Sequence, residues 1–175
     1  RELMGEAREF PPFLTLRYVR RQGLRYGENP HQRAAFYCEP LVAEPCLANA
    51  RQLQGKELSF NNLLDSDSGL KLVREFEEPA AVIVKHNNPC GAAIGETQLH
   101  AYERAHSTDP KSAYGGVVIL NRPCEAATAR AIVATFKEVV LAPGFEPGCM
   151  EAFRTKENLR VLEVPPIDPA APRDY

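Results

Sequence analysis

Short apolar runs alternate with amphipathic segments along most of the chain. Runs rich in Val, Ile, Leu and Ala are typical of buried strands, whereas apolar residues spaced three or four apart are typical of helices. Strands that alternate with helices predict an α/β protein with a mainly parallel sheet and helices on both of its faces. We predict strands at residues 13–19, 33–37, 80–84, 117–120, 139–142 and 159–162, and helices at about residues 61–76, 97–106, 125–136 and 150–154.

The predicted strand at residues 80–84 runs directly into a series of polar residues. It is followed by Lys85 and His86, and then by Asn, Asn and Pro at residues 87–89, which are residue types that favour a turn. Open α/β sheets usually bind their ligands where strands end. Successive side chains on a strand point to opposite faces, so Lys85 and His86 share a pocket only if the backbone turns there.

An adjacent lysine and histidine are a candidate acid–base pair. Imidazole can accept a proton from an amine near neutral pH, and an ammonium group can stabilise a developing negative charge or return a proton to a leaving nitrogen. Any neighbouring Lys and His would satisfy this description. Cys90 offers the alternative of a thiolate nucleophile, although a cysteine that follows proline after a buried strand is more commonly a packed thiol.

Composition narrows the class of protein. The 175 residues suffice for one or two domains, and 44% hydrophobic residues, 25% charged residues and a net charge of −2 are ordinary for a globular protein. Because the chain has no basic excess and no apolar run near the roughly 20 residues of a membrane span, we expect no nucleic acid, no membrane and a cytoplasmic location. The five cysteines include no C-x-x-C pair, which favours reduced thiols over disulfides or structural zinc.

Three further motifs each have two interpretations. Residues 24–32 form a polar loop that is either a surface turn or an anion site in which Arg25 contacts a phosphate. Asp65 and Asp67 suit the first turns of a helix near the positive end of its dipole, and a metal site is the alternative. The glycine pair at residues 115–116 permits either a tight turn or the close approach of a ligand. Dinucleotide, P-loop and zinc-deaminase signatures are absent from the sequence.

Five motifs occur in the order seen in AICAR transformylase, the transformylase part of the bifunctional purine enzyme that also carries IMP cyclohydrolase. The motifs are residues 24–32 (LRYGENPHQ), 58–62 (LSFNN) with Asp65, 85–91 (KHNNPCG), 109–116 (DPKSAYGG) with Asn121, and 142–145 (APGF). The chain resembles this family from about residue 13 to residue 164.

The resemblance implies a fold, a reaction and a set of partners. The implied fold is a cytidine-deaminase-like three-layer α/β arrangement, used twice in tandem and without zinc. The implied reaction transfers the formyl group of the cosubstrate 10-formyltetrahydrofolate to the 5-amino group of AICAR in purine nucleotide synthesis, without a metal. The implied assembly is a homodimer with transformylase sites at the subunit interface.

The resemblance also implies roles for individual residues. Lys85 and His86 match the catalytic pair, with His86 as the proton acceptor and Lys85 as the proton donor or oxyanion stabiliser. Tyr114 stands where phenylalanine is usual in the family. The positions that match substrate-binding residues are Arg25, Tyr26, Asn62, Tyr114, Gly115 and Glu138.

We divide the chain into three parts: an N-terminal extended segment at residues 1–22, a first cytidine-deaminase-like subdomain at 23–164, and a proline-rich linker or tail at 165–175. The cyclohydrolase domain and the second transformylase half are missing from this sequence. We therefore expect a piece of a larger enzyme, completed in cis or in trans. The alternative is a catalytically incomplete binding or assembly module that keeps the nucleotide-contacting loops.

Overall fold

The structure, a computed structural model, describes residues 12–41 and 45–167. Expectations about residues 1–11 and 168–175 lie outside the described residues. The strands are β1 (Val19–Leu24), β2 (Ala34–Cys38), β3 (Arg51–Gln54), β4 (Ala80–Lys85), β5 (Asn88–Ile94), β6 (Gly116–Leu120), β7 (Lys137–Ala142) and β8 (Arg160–Glu163). The helices are α1 (Phe60–Val73), α2 (Gln98–Thr108), α3 (Pro110–Ala113), α4 (Ala126–Val133) and α5 (Cys149–Arg154), with a short 3₁₀ helix at Leu47–Asn49.

Most predicted elements are present, with shifted ends. The predicted strand at residues 13–19 is wrong, because β1 begins at Val19 and pairs with β2 in a separate hairpin. The predictions missed β3, β5 and α3. No helix in the described part of the chain is long and apolar enough to cross a membrane.

The larger sheet is mixed, which corrects the prediction of a mainly parallel sheet. Its strand order is β3-β8-β7-β6-β4-β5. The β6–β7 and β7–β8 pairs are parallel, whereas β3–β8, β4–β5 and β4–β6 are antiparallel. A two-residue turn joins β4 to β5, and a parallel pair would need a crossover of about a dozen residues or more. The predictions missed β5 because its Asn, Pro and Gly residues are depleted in strands, although Pro is tolerated at a sheet edge.

Helix α1 covers one face of the sheet, and α2, α4 and α5 cover the other. Leu70 of α1 belongs to a buried apolar cluster with Val82 of β4, whereas Ile83 belongs to a second cluster with Ala105 of α2 and Phe153 of α5. Because neighbouring residues of β4 face different apolar cores, the strand is apolar without interruption. The three-layer α/β arrangement predicted from the sequence is confirmed.

Helix α1 is fixed at its start and pressed against the sheet at its middle. Ser59 and Asn62 form a capping box, in which Ser59 Oγ accepts the Asn62 N–H at 3.3 Å and Asn62 Oδ1 accepts the Ser59 N–H at 3.1 Å. A Cβ on Gly69 would lie 2.1 Å from Ile119 Cδ1, so only glycine allows this approach to β6. The polar residues of α1 are thereby held at a fixed height above the sheet.

Candidate active site

The turn between β4 and β5 contains one of the predicted catalytic residues. His86 and Asn87 both have left-handed backbone, with φ of 54° and 62°, as in the two-residue turns of tight hairpins. The turn therefore lies at residues 86–87 and not at 87–89 as predicted, and Pro89 belongs to β5. His86 is exposed, and its imidazole forms no hydrogen bond with any residue that the structure describes.

Lys85, the last residue of β4, lies beside the turn that leads into β6. Its Nζ donates a hydrogen bond to Tyr114 O at 2.5 Å. Gly115 has a left-handed φ of 71°, and its N–H donates to Phe136 O at 2.8 Å. The Tyr114 and Phe136 rings pack with centroids 5.3 Å apart. We call Lys85, Tyr114, Gly115 and Phe136 the lysine cluster. The left-handed backbone of Gly115 agrees with the tight turn, one of the two interpretations predicted for the glycine pair.

Glu138 faces α1 because of a β-bulge in β7. The register between β6 and β7 shifts between Gly116 and Val117, which leaves Glu138 as the extra residue. Glu138 Oε2 accepts a hydrogen bond from Asn62 Nδ2 at 2.9 Å. Asn62 already uses its Oδ1 in the capping box, so both ends of its side chain are fixed.

Arg160 lies beside Glu138 and was not predicted from the sequence. It is 6% exposed, and its Nη1 lies 3.8 Å from Glu138 Oε2 while its Nε donates to Glu57 O at 3.0 Å. Burial lowers the pKa of Arg160, and the Glu138 carboxylate raises it. A charged residue inside the apolar run at residues 159–162 was the signal that could have identified it, because buried arginines are almost always paired.

The loop at residues 24–32 docks on the start of α1. Backbone hydrogen bonds of 3.0 and 3.1 Å join Arg25 and Tyr26 to the residues on either side of Ser59. The exposed Arg25 guanidinium lies over the Tyr26 ring, with its Cζ 5.6 Å from the ring centroid. The Arg25 charge is close enough to Arg160 to lower its pKa further. We call Arg25, Tyr26, Asn62, Glu138 and Arg160 the α1 cluster.

Asp65 and Asp67 lie near the start of α1, as predicted, but past the single turn over which the helix dipole acts most strongly. The helix begins at Phe60, so both residues lie beyond its first turn. Asp65 Oδ1 accepts the Asn87 N–H at 2.7 Å, whereas Asp67 pairs with Lys71 at 2.7 Å. Within residues 12–41 and 45–167, no group of three or more His, Cys, Asp or Glu side chains could hold a metal ion.

Two further ionisable groups, Cys90 and Lys137, feel the charge of Lys85. Burial raises the pKa of the Cys90 thiol, whose Sγ lies 3.5 Å from Ile83 O. A protonated thiol is a weak nucleophile, so this environment disfavours the thiolate alternative. Lys137 is 3% exposed, its Nζ donates to Thr135 Oγ1, and burial lowers its pKa to about 8. Lys137, a charged residue at the start of an apolar strand, was not predicted from the sequence.

Both clusters lie at the same end of the sheet. Because β4 runs antiparallel to β6 while β7 and β8 run parallel to it, this end carries the carboxyl end of β4 and the amino ends of β6, β7 and β8. The structure brings Lys85 together with Tyr114 and Gly115, and it brings Asn62 together with Glu138. His86 lies in the adjoining turn, with no contact to either cluster among the described hydrogen bonds. This end of the sheet therefore carries Lys85 and His86 together with the charged and polar side chains of the α1 cluster.

Comparison with known sequences decides the family. The sequence profile described as "AICARFT/IMPCHase bienzyme" matches residues 1–174. The chain belongs to this bienzyme family. The family assignment made from the five motifs is thus confirmed.

Members of the bienzyme family are similar to the chain along most of its length. The bifunctional purine biosynthesis protein PurH of Oceanobacillus iheyensis is 52% identical over 156 residues, which are 89% of this chain and 31% of that protein. The chain therefore spans about a third of the length of this curated relative. A solved structure of Acinetobacter baumannii RibD, form 1, matches 53% of this chain and 32% of its own with a TM-score of 0.40 and 18% identity, a similarity that supports no conclusion.

Proposed function

We propose that the chain is part of an AICAR transformylase of purine nucleotide biosynthesis and supplies Lys85 and His86 for formyl transfer. The cosubstrate is 10-formyltetrahydrofolate, which carries the formyl group on nitrogen N10. The proposal is carried by the arrangement at the end of β4 in a member of this family. There, Lys85 Nζ donates a hydrogen bond to the Tyr114 carbonyl, and His86 projects from the adjoining turn.

The proposed reaction exchanges one carbon–nitrogen bond for another. The 5-amino nitrogen of AICAR attacks the formyl carbon, and the carbonyl oxygen takes up negative charge. His86 accepts the proton that the amine loses, while Lys85 stabilises the oxyanion and gives a proton to N10 as the bond from N10 to the formyl carbon breaks. Exchange with water restores both side chains. An ammonium group has three donors, so the bond to Tyr114 O leaves two for these tasks.

The α1 cluster supports the binding of the nucleotide in this proposal. Arg25 is exposed and forms no ion pair with a carboxylate of the described chain, so its guanidinium is available for the AICAR phosphate. The Glu138 carboxylate is half-exposed, and Asn62 and Arg160 both contact its Oε2, so its Oε1 is available to accept hydrogen bonds from ribose hydroxyls. The half-buried Tyr26 ring lies under the Arg25 guanidinium, and Tyr114 adds an exposed ring in the lysine cluster.

A second candidate function is a nucleotide-binding or assembly module without turnover. The observation that favours it is that the exposed His86 imidazole forms no hydrogen bond with a described residue, so no side chain orients it as a base. In our main proposal, a second transformylase half, in cis or in trans, completes the site, and a homodimer places that site at a subunit interface. The proposed location is the cytoplasm.

Two measurements separate these functions. Calorimetric titration of AICAR tests binding to the chain, and formyl transfer is assayed in an exchange protein, which is the Oceanobacillus iheyensis PurH with its matching segment replaced by this chain. We expect AICAR to bind and the exchange protein to transfer formyl groups, with a loss of roughly a hundredfold or more in Lys85→Ala or His86→Ala. Lys71→Ala is the matched control, because Lys71 is an exposed lysine of α1 that pairs with Asp67.

Each result has a defined meaning. AICAR binding without transfer by a folded exchange protein supports the binding module and refutes the enzyme. The absence of both binding and transfer, while the parent PurH transfers formyl groups, contradicts both functions.

A further inference from the structure

The turn at residues 86–87 is held by helix α1, from outside its own hairpin. Asp65 Oδ1 accepts the Asn87 N–H at 2.7 Å. Ser68 Oγ, one helical turn further along α1, donates to Asn87 Oδ1. Both the main chain and the side chain of the turn are therefore tied to the same helix.

The Lys85–Asn88 pair of the β4–β5 ladder closes the turn, and the contacts from α1 add to it at the two residues that lie outside the ladder. His86 and Asn87 both adopt left-handed backbone, which residues other than glycine adopt at a cost. Both residues are exposed, so packing does not confine them. Within the hairpin, Asn88 Nδ2 donates to His86 O at 3.0 Å, which is an exposed contact. Because α1 is packed against the sheet, the hydrogen bonds from Asp65 and Ser68 hold the turn at a fixed position relative to the sheet.

We propose that Asp65 is a positioning residue for His86. It contacts the backbone of the turn from which the imidazole projects and leaves the imidazole itself free. This inference rests on the proposed function, in which His86 accepts the proton of the attacking amine.

Helix α1 thereby links the two parts of the site. Asn62, Asp65 and Ser68 are spaced three residues apart, so they follow one face of the helix. Asn62 holds Glu138 of the α1 cluster, and the other two hold the turn. One rigid element therefore sets the distance between the nucleotide-contacting groups and the general base, as effective catalysis requires.

The first test measures the turn itself and needs no activity. In ¹⁵N-labelled chain, Asp65→Ala is expected to shift the Asn87 amide proton upfield and to speed its exchange with solvent, because the hydrogen bond is lost. Asp65→Asn keeps an acceptor oxygen and is expected to restore both values. Asp67→Ala removes the same charge from the same helix but breaks only the pair with Lys71, so the Asn87 amide is expected to stay unchanged.

The second test measures turnover in the exchange protein. Asp65→Ala is expected to lower kcat roughly ten- to a hundredfold with little change in the KM for AICAR, because the base is displaced while the nucleotide contacts remain. Asp65→Asn is expected to recover most of kcat, and Asp67→Ala to match the unsubstituted exchange protein. A general loss of stability would instead lower activity in proportion to the folded fraction and would leave kcat per folded molecule unchanged.

The outcomes that overturn the inference are distinct from those that overturn the proposed function. An unchanged Asn87 amide in Asp65→Ala, or an equal loss of kcat in Asp67→Ala, refutes the positioning role. If Asp65→Ala does not fold, Ser68→Ala is measured in the same way, and an unchanged Asn87 side-chain amide refutes the hold. No transfer by the unsubstituted exchange protein refutes the function, while the amide measurements still decide whether Asp65 fixes the turn.

Discussion

Gly115→Ala tests how the lysine cluster is built. Gly115 has a φ of 71°, where a residue with a Cβ costs about 1–2 kcal/mol. An added Cβ would lie 3.3 and 3.4 Å from two carbons of the Phe136 ring and 3.5 Å from Lys85 Nζ. The contacts with the Phe136 ring are tight, but the ring is half-exposed and can move, so they add little to the loss of stability. Alanine also lowers the conformational entropy of the unfolded chain, which stabilises the folded protein by about 0.4–1 kcal/mol. We expect a net loss of about 1 kcal/mol in the free energy of unfolding.

Urea unfolding of the chain measures this loss, and Gly23→Ala is the matched control. Gly23 lies in β1, where an added Cβ would meet no atom within 4 Å, so its free energy of unfolding is expected to stay the same or rise. Equal or greater stability of Gly115→Ala relative to Gly23→Ala would refute the left-handed backbone at Gly115. In the exchange protein, Gly115→Ala is also expected to slow formyl transfer, because it crowds the Lys85 ammonium and moves its acceptor, Tyr114 O.

Three further substitutions have defined outcomes. Lys137→Met is expected to raise the free energy of unfolding at pH 7 by about 1–3 kcal/mol, because burial lowers the pKa of Lys137 to about 8 and so penalises its ammonium. The unsubstituted chain should gain stability as the pH rises from 8 towards 10, where the unfolded chain still binds this proton and the folded chain does not; urea unfolding of Lys137→Met should lack that gain. Cys90→Ser is expected to leave formyl transfer by the exchange protein nearly unchanged, and a loss of about a hundredfold would revive the thiolate alternative. Glu138→Gln is expected to weaken AICAR binding about tenfold in calorimetry, as the loss of one hydrogen bond to a charged acceptor implies, and an unchanged affinity would remove Glu138 from the site.

The sequence predicted those parts of the fold that local patterns determine. The uninterrupted apolar run that ends at Lys85 predicted β4, and periodic apolar residues predicted α1, α2, α4 and α5. The start of α1 also depends on a local interaction, the capping box between Ser59 and Asn62. The position of Lys85 and His86 at the end of β4 could be predicted for the same reason, since they follow the apolar run directly, and their catalytic role stays a prediction.

The remaining features depend on contacts between distant residues. The direction of strand pairing depends on how the chain returns to the sheet. The pattern of apolar residues therefore could not reveal that the β4–β5 and β4–β6 pairs are antiparallel. The orientation of Glu138 depends on a register shift against β6, which leaves no mark in the local sequence. The local sequence suggests only that Asp65 interacts with the helix dipole. Its actual partner, the Asn87 N–H, lies 22 residues away in another element, so local patterns do not reveal it.

The most direct test of the account is single-turnover formyl transfer by the exchange protein at saturating AICAR, compared with its His86→Ala variant. Saturation removes differences in nucleotide binding, so the rate reports the chemical step alone. We predict that the exchange protein forms the formylated product and that His86→Ala, with AICAR bound equally well, forms it at least a hundredfold more slowly. Equal rates in the two proteins would contradict the account, because the turn between β4 and β5 would then hold no group that takes part in the reaction.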